Sequence, residues 1–316
     1  MKRCFLLLCA LCLLLCGCEA RDPIQPMAAM EDAPVPAPSG EKIIPREADV
    51  VLWFRFGAEP LLAPETRTLA LSPTAPFEMT LLQALTGGPA AASTELEGLF
   101  PPGTRVTATH RQERTLFVTL SRQIMNDYAD EQSGEGLLRR RLAMQAIAAT
   151  VTENCDVDQV IVLVEQTDSG SDSLRLRQGY YRDGSDATDL AAPLLREESV
   201  LLTPQRTLET ILDCWQTQNW QRLYPWIART DHADGSARPA FEEFAAHMDA
   251  QPALTSWAIS GGSVSPDGQS AVFSADFTRL ISGQTVDASG ILRLHRERGI
   301  WRISLSQLTR KEGDLP

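Results

Sequence analysis

The chain has 316 residues, of which 43% are hydrophobic, and its formal net charge is −12. That length and hydrophobic content allow two ordinary globular domains with real cores. The acidic balance argues against nucleic-acid binding and against charge-driven adhesion to anionic lipid, because both need a basic surface.

The N-terminus predicts export and lipid anchoring. Lys2 and Arg3 precede the apolar run 4–15, which is the order of a secretory signal and is too short to span a bilayer comfortably. Leu15-Cys16-Gly17-Cys18 resembles a bacterial lipobox, in which the last Cys is diacylated and becomes the first residue. We therefore predict a signal peptide over 1–17, lipidation of Cys18, and a location on the extracytoplasmic face of the cell membrane. Loss of Lys2 and Arg3 takes the formal charge from −12 to −14.

The segment 18–47 is predicted to be a tether. It contains six prolines among Ala, Ser and acidic residues, without helical or strand period. Such a chain reaches ~25–30 Å as coil and ~80 Å fully extended, and it would hold the folded part away from the lipid.

The cysteines give no disulfide framework. Five of the seven belong to the leader and anchor, which leaves Cys155 and Cys214 in different predicted domains. Each is more typical of a buried apolar thiol than of a nucleophile.

The segment 48–198 is predicted to be the first domain. Continuous or alternating apolar residues indicate strands at 50–54, 105–110, 115–120 and 160–164. Apolar residues at helical spacing indicate two helices, one beginning near Phe77 and ending at Gly87-Gly88-Pro89, the other carrying Leu138, Leu142 and Ala146. The resulting order βαββαβ favours helices packed on one face of a small sheet.

The segment 199–310 is predicted to be the second domain. After a linker near 193–202, Thr203-Pro204 is a good helix start, and apolar residues then recur at helical spacing as far as Met248. Beyond Pro252 the period changes to alternation, which indicates four strands separated by glycine turns. Helices followed by a curved antiparallel sheet complete an α+β fold class for the whole chain.

The first domain resembles the GerMN family of bacterial lipoproteins. The residues that carry the resemblance are Leu62-Ala63-Pro64-Glu65-Thr66-Arg67, Leu99-Phe100-Pro101-Pro102-Gly103-Thr104 and Phe117-Val118-Thr119-Leu120-Ser121. The resemblance implies a role in sporulation, germination or envelope assembly and a fold similar to ring-building modules of secretion machines, and it brings no catalytic residues. The chain departs from the family in the turn 111–114 and in the long acidic loop 126–136.

The second domain resembles the nuclear transport factor two-like fold in its order of elements. That fold includes isomerases and dehydratases as well as many non-catalytic modules, so the resemblance does not assign a function.

No catalytic, cofactor or metal motif is present in the sequence. P-loop, paired-histidine zinc, GxGxxG and GxSxG patterns are all missing, and the four histidines lie far apart along the chain. A metal loop at His232 would need acids where Ala233 and Gly235 stand, so a solvated turn is favoured. We predict no metal, no cofactor and no enzyme activity.

Two motifs of the first domain are candidate interaction or structural elements. For Glu65 and Arg67, an ion pair or cap within the fold is favoured over contact with a partner. Pro101, Pro102 and Gly103 predict a rigid loop before a strand, since Pro fixes φ and Gly permits positive values.

Asp213, Trp215 and His247 are the candidate pocket residues of the second domain, because their helices could face the space between helices and sheet. The main hypothesis is nevertheless a non-catalytic, membrane-tethered module that contacts an envelope protein. The alternatives are binding of a small ligand or glycan in the second domain, or acid–base catalysis there.

Overall fold

The computed structural model describes residues 46–128, 134–167, 172–184 and 188–309, which belong to one compact unit. The predicted signal peptide, Cys18 and the tether up to residue 45 lie outside these ranges. None of the helices in the described ranges combines the length and apolar content needed to cross a membrane.

The described part has two hydrophobic cores, and we name a lobe after each. The first lobe (46–201) contains β1 (Arg46–Phe56), β2 (Leu62–Leu71), α1 (Phe77–Thr86), β3 (Leu96–Glu97), β4 (Val106–Gln112), β5 (Thr115–Leu120), α2 (Glu135–Asn154), β6 (Gln159–Glu165) and β7 (Ser173–Arg175). The second lobe (202–309) contains α3 (Pro204–Gln216), α4 (Trp220–Leu223), α5 (Phe241–Asp249), β8 (Ala253–Val264), β9 (Ser270–Ile281), β10 (Gln284–Glu297), β11 (Ile300–Ile303) and α6 (Leu305–Leu308).

The α+β class is confirmed, and the first lobe has more strands than its sequence pattern indicates. It holds two sheets, in the orders β2-β1-β3 and β4-β5-β6-β7, where one small sheet was predicted. The pattern missed β2 because Pro64, Glu65 and Arg67 interrupt its alternation. Pro64, which has no backbone N–H, is tolerated because β2 is an edge strand, and the outer edge of such a strand makes no hydrogen bonds to a neighbouring strand.

Helix α2 covers the other edge of β1. Asn154 accepts a hydrogen bond from the Val51 amide (2.9 Å) and donates to the Val51 carbonyl (2.8 Å), and Thr150 accepts from the Trp53 amide (3.2 Å). These side chains give the β1 backbone the hydrogen bonds that a neighbouring strand would otherwise supply, since buried amide and carbonyl groups need partners. The small residues of the buried stretch Leu142–Val151 allow this close approach.

The second lobe is a helical layer on a four-stranded antiparallel meander, ordered β11-β10-β9-β8. Thr203 caps α3 by accepting from the Arg206 amide, with Pro204 in the first turn, as predicted. Trp301, Ile303 and Leu305 alternate in the sequence, which predicts one strand through all three, but the fourth strand ends at Ile303 and Leu305 begins α6. Buried apolar side chains from both layers, Phe244, Met248 and Leu294 among them, fill the space between helices and sheet.

The two lobes share apolar packing. Phe56, Leu61 and Ala63, at the β1–β2 turn, are buried in the second core. The predicted linker 193–202 is an ordered connection, because Leu194 bridges to Val160 and the Leu202 amide donates to the Leu62 carbonyl at 2.8 Å. The domain boundary between residues 198 and 199 stays a prediction.

Buried arginines hold this junction. Arg302, with 1% of its side chain exposed, donates to the Pro225 carbonyl and forms ion pairs with Glu95 of the first lobe (2.6 Å) and with Glu297 (3.2 Å). Burial lowers the pKa of Arg302, and the two carboxylates oppose that effect. Arg55 fixes the β1–β2 turn by donating to the carbonyls of Glu59 (2.9 Å) and Ala58 (2.6 Å).

The turn between β10 and β11 touches the first lobe. Gly299 has a φ of +88°, and a Cβ at this position would overlap the carbonyl oxygen of Pro64. Glycine is therefore needed at position 299 for two reasons: the backbone is left-handed there, and the two lobes approach each other too closely for a Cβ.

Replacing Arg302 by Leu is expected to lower the free energy of unfolding by about 3 kcal/mol, because a buried ion pair is broken and Glu95 and Glu297 lose their common cation. Chemical denaturation measures the change. Arg293→Leu, at an exposed position on β10, is the control and should change stability by less than about 0.5 kcal/mol. Equal stability of the two variants would contradict a structural role for Arg302.

Gly299→Ala and Gly283→Ala form a matched pair, since both glycines are the second residue of a two-residue hairpin turn, with φ of +88° and +81°. A Cβ at Gly283 meets nothing within 4 Å, so its substitution should cost only the backbone strain, about 1–2 kcal/mol. Gly299→Ala should cost about 1–3 kcal/mol more, because it pushes the lobes apart. Thermal and urea unfolding of both variants tests the difference, and equal losses would rule out the interlobe clash.

Candidate functional site

Glu65 and Arg67 form an ion pair within the first lobe. Arg67 Nε donates to Glu65 Oε1 at 2.9 Å, and its Nη2 also donates to the Gly88 carbonyl at 3.1 Å. Glu65 Oε2 accepts from the Ala90 amide at 3.0 Å. The pair thus joins β2 to the loop after α1, and its polar atoms are occupied by the fold.

Pro101, Pro102 and Gly103 form a tight turn that leads into β4. The Thr104 amide and hydroxyl both bond to the Pro101 carbonyl, at 3.1 and 2.7 Å, and Gly103 has a φ of +83°. Pro101 is buried, whereas Pro102 and Gly103 are exposed, so the turn delivers Thr104 to the core side.

The three candidate pocket residues of the second lobe do not share a cavity. Trp215 is buried in the second core. Asp213 is exposed and pairs with Arg222 (3.1 Å), while His247 is exposed and borders a different depression, together with Asp231. Acid–base chemistry between helices and sheet would need Asp213 or His247 to point inward, because only a desolvated group there could act on an enclosed substrate.

The two described cysteines are both free. Burial raises the pKa of Cys155 to about 11 and that of Cys214 to about 12. Both thiols are therefore protonated near neutral pH, which is the opposite of what a nucleophile needs.

Tertiary structure brings together two histidines that are distant in sequence. The rings of His232 and His295 stack with centroids 3.7 Å apart, and His232 Nε2 lies 3.8 Å from Glu297. Burial, followed by the charge of His232, lowers the pKa of His295. Within the described ranges, no three His, Cys, Asp or Glu side chains are arranged to hold a metal ion.

Asp231 organises the loop that carries His232. Its carboxylate accepts hydrogen bonds from the Ala233 amide (2.8 Å) and from the amide and hydroxyl of Ser306 (3.0 and 2.9 Å). Burial acts to raise the pKa of Asp231, but these hydrogen bonds outweigh it and leave the pKa below its ordinary value. This loop is thus a hydrogen-bonded turn attached to α6.

A cleft of about 730 Å³ lies where the β1–β2 turn meets α4 and the 3-10 turn after it. We call it the interlobe cleft. It is lined by Phe56, Gly57, Ala58, Glu59, Pro60, Glu95, Asn219, Gln221, Arg222, Tyr224, Pro225, Trp226 and Arg238. Its volume falls in the range of small-molecule sites.

Three of the four charged residues in the cleft are paired with opposite charges. Arg222 binds both oxygens of Glu59 (2.7 and 2.8 Å), which raises the pKa of Arg222. Glu95 binds Arg302 and Arg229. Arg238 has no carboxylate within 4.0 Å in the described part of the chain; it lies over the Tyr224 ring, 4.2 Å from its centroid.

A second open feature lies on the first lobe: a groove of about 540 Å³ beside β6 and β7. We call it the arginine groove. It is lined by Arg122, Met125, Asn126, Val164, Glu165, Gln166, Leu174, Arg175, Leu176 and Arg177. Arg122 and Arg175 form no ion pair with any described residue, and Met125 and Leu174 are 50% and 54% exposed. Apolar and cationic surface thus coincide on an otherwise acidic protein.

The sequence patterns did not indicate either feature, because the lining residues of each come from separated segments. The arginine groove has one local signal, the run of alternating Leu and Arg at 174–177, which by itself indicates only a short strand.

Comparison with known protein families finds a similarity within the first lobe. Residues 58–169 match the family Germane, described as sporulation and spore germination. No curated protein matches the chain.

Among solved structures, the tandem GerMN domains of the sporulation protein GerM from Bacillus subtilis match with 14% identity and a TM-score of 0.34, over 49% of this chain and 48% of that one. The chain thus spans about half the length of that structure. The first GerMN domain of the same protein matches with 16% identity and a TM-score of 0.32, over 47% of this chain and 98% of that one. An NTF-2-like protein of unknown function from Shewanella oneidensis matches with 12% identity and a TM-score of 0.25, over 32% of this chain and 90% of that one.

The match of the family model covers β2 to β6, which are the elements that carry the predicted resemblance. Residues 58–169 of this α+β chain therefore correspond to the Germane family, which is described as sporulation and spore germination.

Proposed function

We propose that this chain is a membrane-tethered, extracytoplasmic lipoprotein that acts without catalysis, by holding an envelope protein during sporulation or germination. The observation that carries the proposal is the arginine groove on the Germane lobe, where exposed apolar side chains lie among cations that have no ion-pair partner in the described part of the chain. Exposed apolar side chains brought together at one groove are a feature of protein contact sites.

The charge of the groove indicates the chemistry of the partner. The lining of the groove contains three arginines, Arg122, Arg175 and Arg177, and a single carboxylate, Glu165. Cations of this kind, beside exposed Leu174 and Met125, suit an acidic protein segment that also carries apolar side chains.

The leader supports the membrane location. Leu15-Cys16-Gly17-Cys18 follows a cationic and apolar N-terminus, and a Pro-rich segment separates Cys18 from β1. A diacylated Cys gives stable anchoring, whereas a single chain gives only marginal binding.

The shared packing of the lobes supports a role as one rigid body. Because Phe56, Leu61 and Ala63 belong to the second core, removing the first lobe would leave that core open. Surface substitutions, rather than deletion of a lobe, are therefore the appropriate test of partner binding.

Cys18→Ala is expected to abolish incorporation of an alkyne-labelled fatty acid and to release the protein from membranes, because it removes the thiol that is acylated. Cys16→Ala is the matched control, since it changes the neighbouring lipobox cysteine and should leave labelling intact. Gel fluorescence and mass spectrometry of the N-terminal peptide measure both variants. Undiminished labelling of the Cys18→Ala chain would refute the anchor.

The double variant Met125→Ser, Leu174→Ser is expected to lower crosslinking of the tethered protein to its envelope partner about tenfold or more, because it removes apolar contact area from the arginine groove. Val264→Ser, Ile291→Ser is the control, since these residues are equally exposed, at 50% and 52%, but lie on the second lobe. Crosslinking in native membranes, followed by mass spectrometry, gives the yields.

Crosslinks should also weaken as salt is raised from about 0.05 to 0.5 M, because exposed charge pairs are screened. Recovery of the protein alone, or equal yields from the groove variant and the wild type, would count against the proposal.

A further inference from the structure

We infer that the interlobe cleft binds a small organic carboxylate with an aromatic or aliphatic body. This inference concerns a different surface from the arginine groove and does not depend on the proposed function.

The shape and lining of the cleft suit a small molecule. Its volume of about 730 Å³ is large enough to enclose most of a small ligand. Phe56, Pro60, Tyr224 and Pro225 provide apolar walls. Trp226 lies beneath them, fully buried, with its ring centroid 4.5 Å from that of Phe56.

The charges of the cleft select an anion. Glu59 and Glu95 are held by arginines, so a cationic ligand would have to break one of these ion pairs. Arg238 is the cation of the lining that has no carboxylate within 4.0 Å among the described residues. A ligand carboxylate can therefore pair with Arg238 without displacing an existing partner.

Arg238 is held in place before any ligand arrives. Its Nη1 donates to the carbonyls of Tyr224 (3.1 Å) and Ile227 (3.3 Å), and its guanidinium lies over the Tyr224 ring. The Tyr224 hydroxyl in turn donates to the Pro239 carbonyl at 2.8 Å. Because Arg238 uses only Nη1 in these bonds, Nε and Nη2 stay available to a carboxylate, and little side-chain entropy remains to be lost on binding.

The floor offers a second polar group. The indole N–H of Trp226 is buried and has no acceptor in the described part of the structure. Buried donors without partners are rare, because each costs a large part of its desolvation free energy. Trp226 is part of the cleft lining, so its N–H is a candidate donor to a ligand oxygen.

The test uses the chain from residue 19, without the predicted signal peptide and Cys18, in detergent-free buffer at pH 7; this chain contains the whole compact unit. The probes are 4-phenylbutyrate, indole-3-propionate and octanoate, each compared with its own primary amide, and binding is followed by saturation-transfer NMR. At least one acid should bind with a Kd below about 1 mM, and its amide should bind about tenfold more weakly, because the charge on the ligand is lost.

Variants locate the site. Arg238→Gln should weaken binding of the acid about tenfold, whereas Arg122→Gln, which removes an exposed arginine of the arginine groove, should leave it unchanged. Ala58→Trp, at an exposed position in the cleft lining, should block binding by filling the cleft without altering the core. Thermal unfolding of each variant establishes that it is folded.

Three results would overturn the inference: equal affinity for acid and amide, wild-type binding by Arg238→Gln or by Ala58→Trp, or no binding of any acid up to about 5 mM. If Arg238→Gln fails to fold, because it loses the hydrogen bonds to Tyr224 and Ile227, Ala58→Trp and the comparison of acid with amide still decide the question.

Discussion

The insertion of the β1–β2 turn into the second lobe is the constraint on which the rest of the structure depends. The side chains of Phe56, Leu61 and Ala63, at the ends of β1 and β2 and in the turn between them, are buried in the second core. Burying such side chains is worth roughly 1.5–3 kcal/mol for each large one, enough to make the two lobes stabilise one another. Arg55 fixes the turn from within the first lobe, and Arg302 ties Glu95 to the second.

That junction also creates the interlobe cleft, one of the two open features described above. The turn places Phe56 and Glu59 opposite Tyr224 and Arg222, so the interlobe cleft exists only while both lobes are folded and joined. The arginine groove lies on the first lobe alone, beside the short edge strand β7. One surface is therefore a product of the interlobe contact, and the other belongs to the Germane lobe itself.

The sequence predicted those elements whose local pattern and burial agree. Thr203-Pro204 starts α3, and alternation marks β9, because one face of that strand is largely buried and the other is turned to solvent. It missed β2, in which Pro64, Glu65 and Arg67 satisfy tertiary demands: an edge position, a bond to the Ala90 amide and a bond to the Gly88 carbonyl. It grouped Asp213, Trp215 and His247 as a pocket, because helical spacing does not reveal which flank of a helix another element covers.

The sequence by itself determined the α+β class, the Germane resemblance and the expectation of a lipidated Cys18, because each depends on residue types at fixed, short spacings. Tertiary structure alone decided which charges are paired. Arg222 and Arg302 each pair with one carboxylate of the other lobe, Glu59 and Glu95, whereas Arg238 has no carboxylate within 4.0 Å among the described residues. The reason is physical: whether a charge is compensated depends on distances of a few ångströms between segments that lie more than a hundred residues apart, and no local pattern encodes such distances.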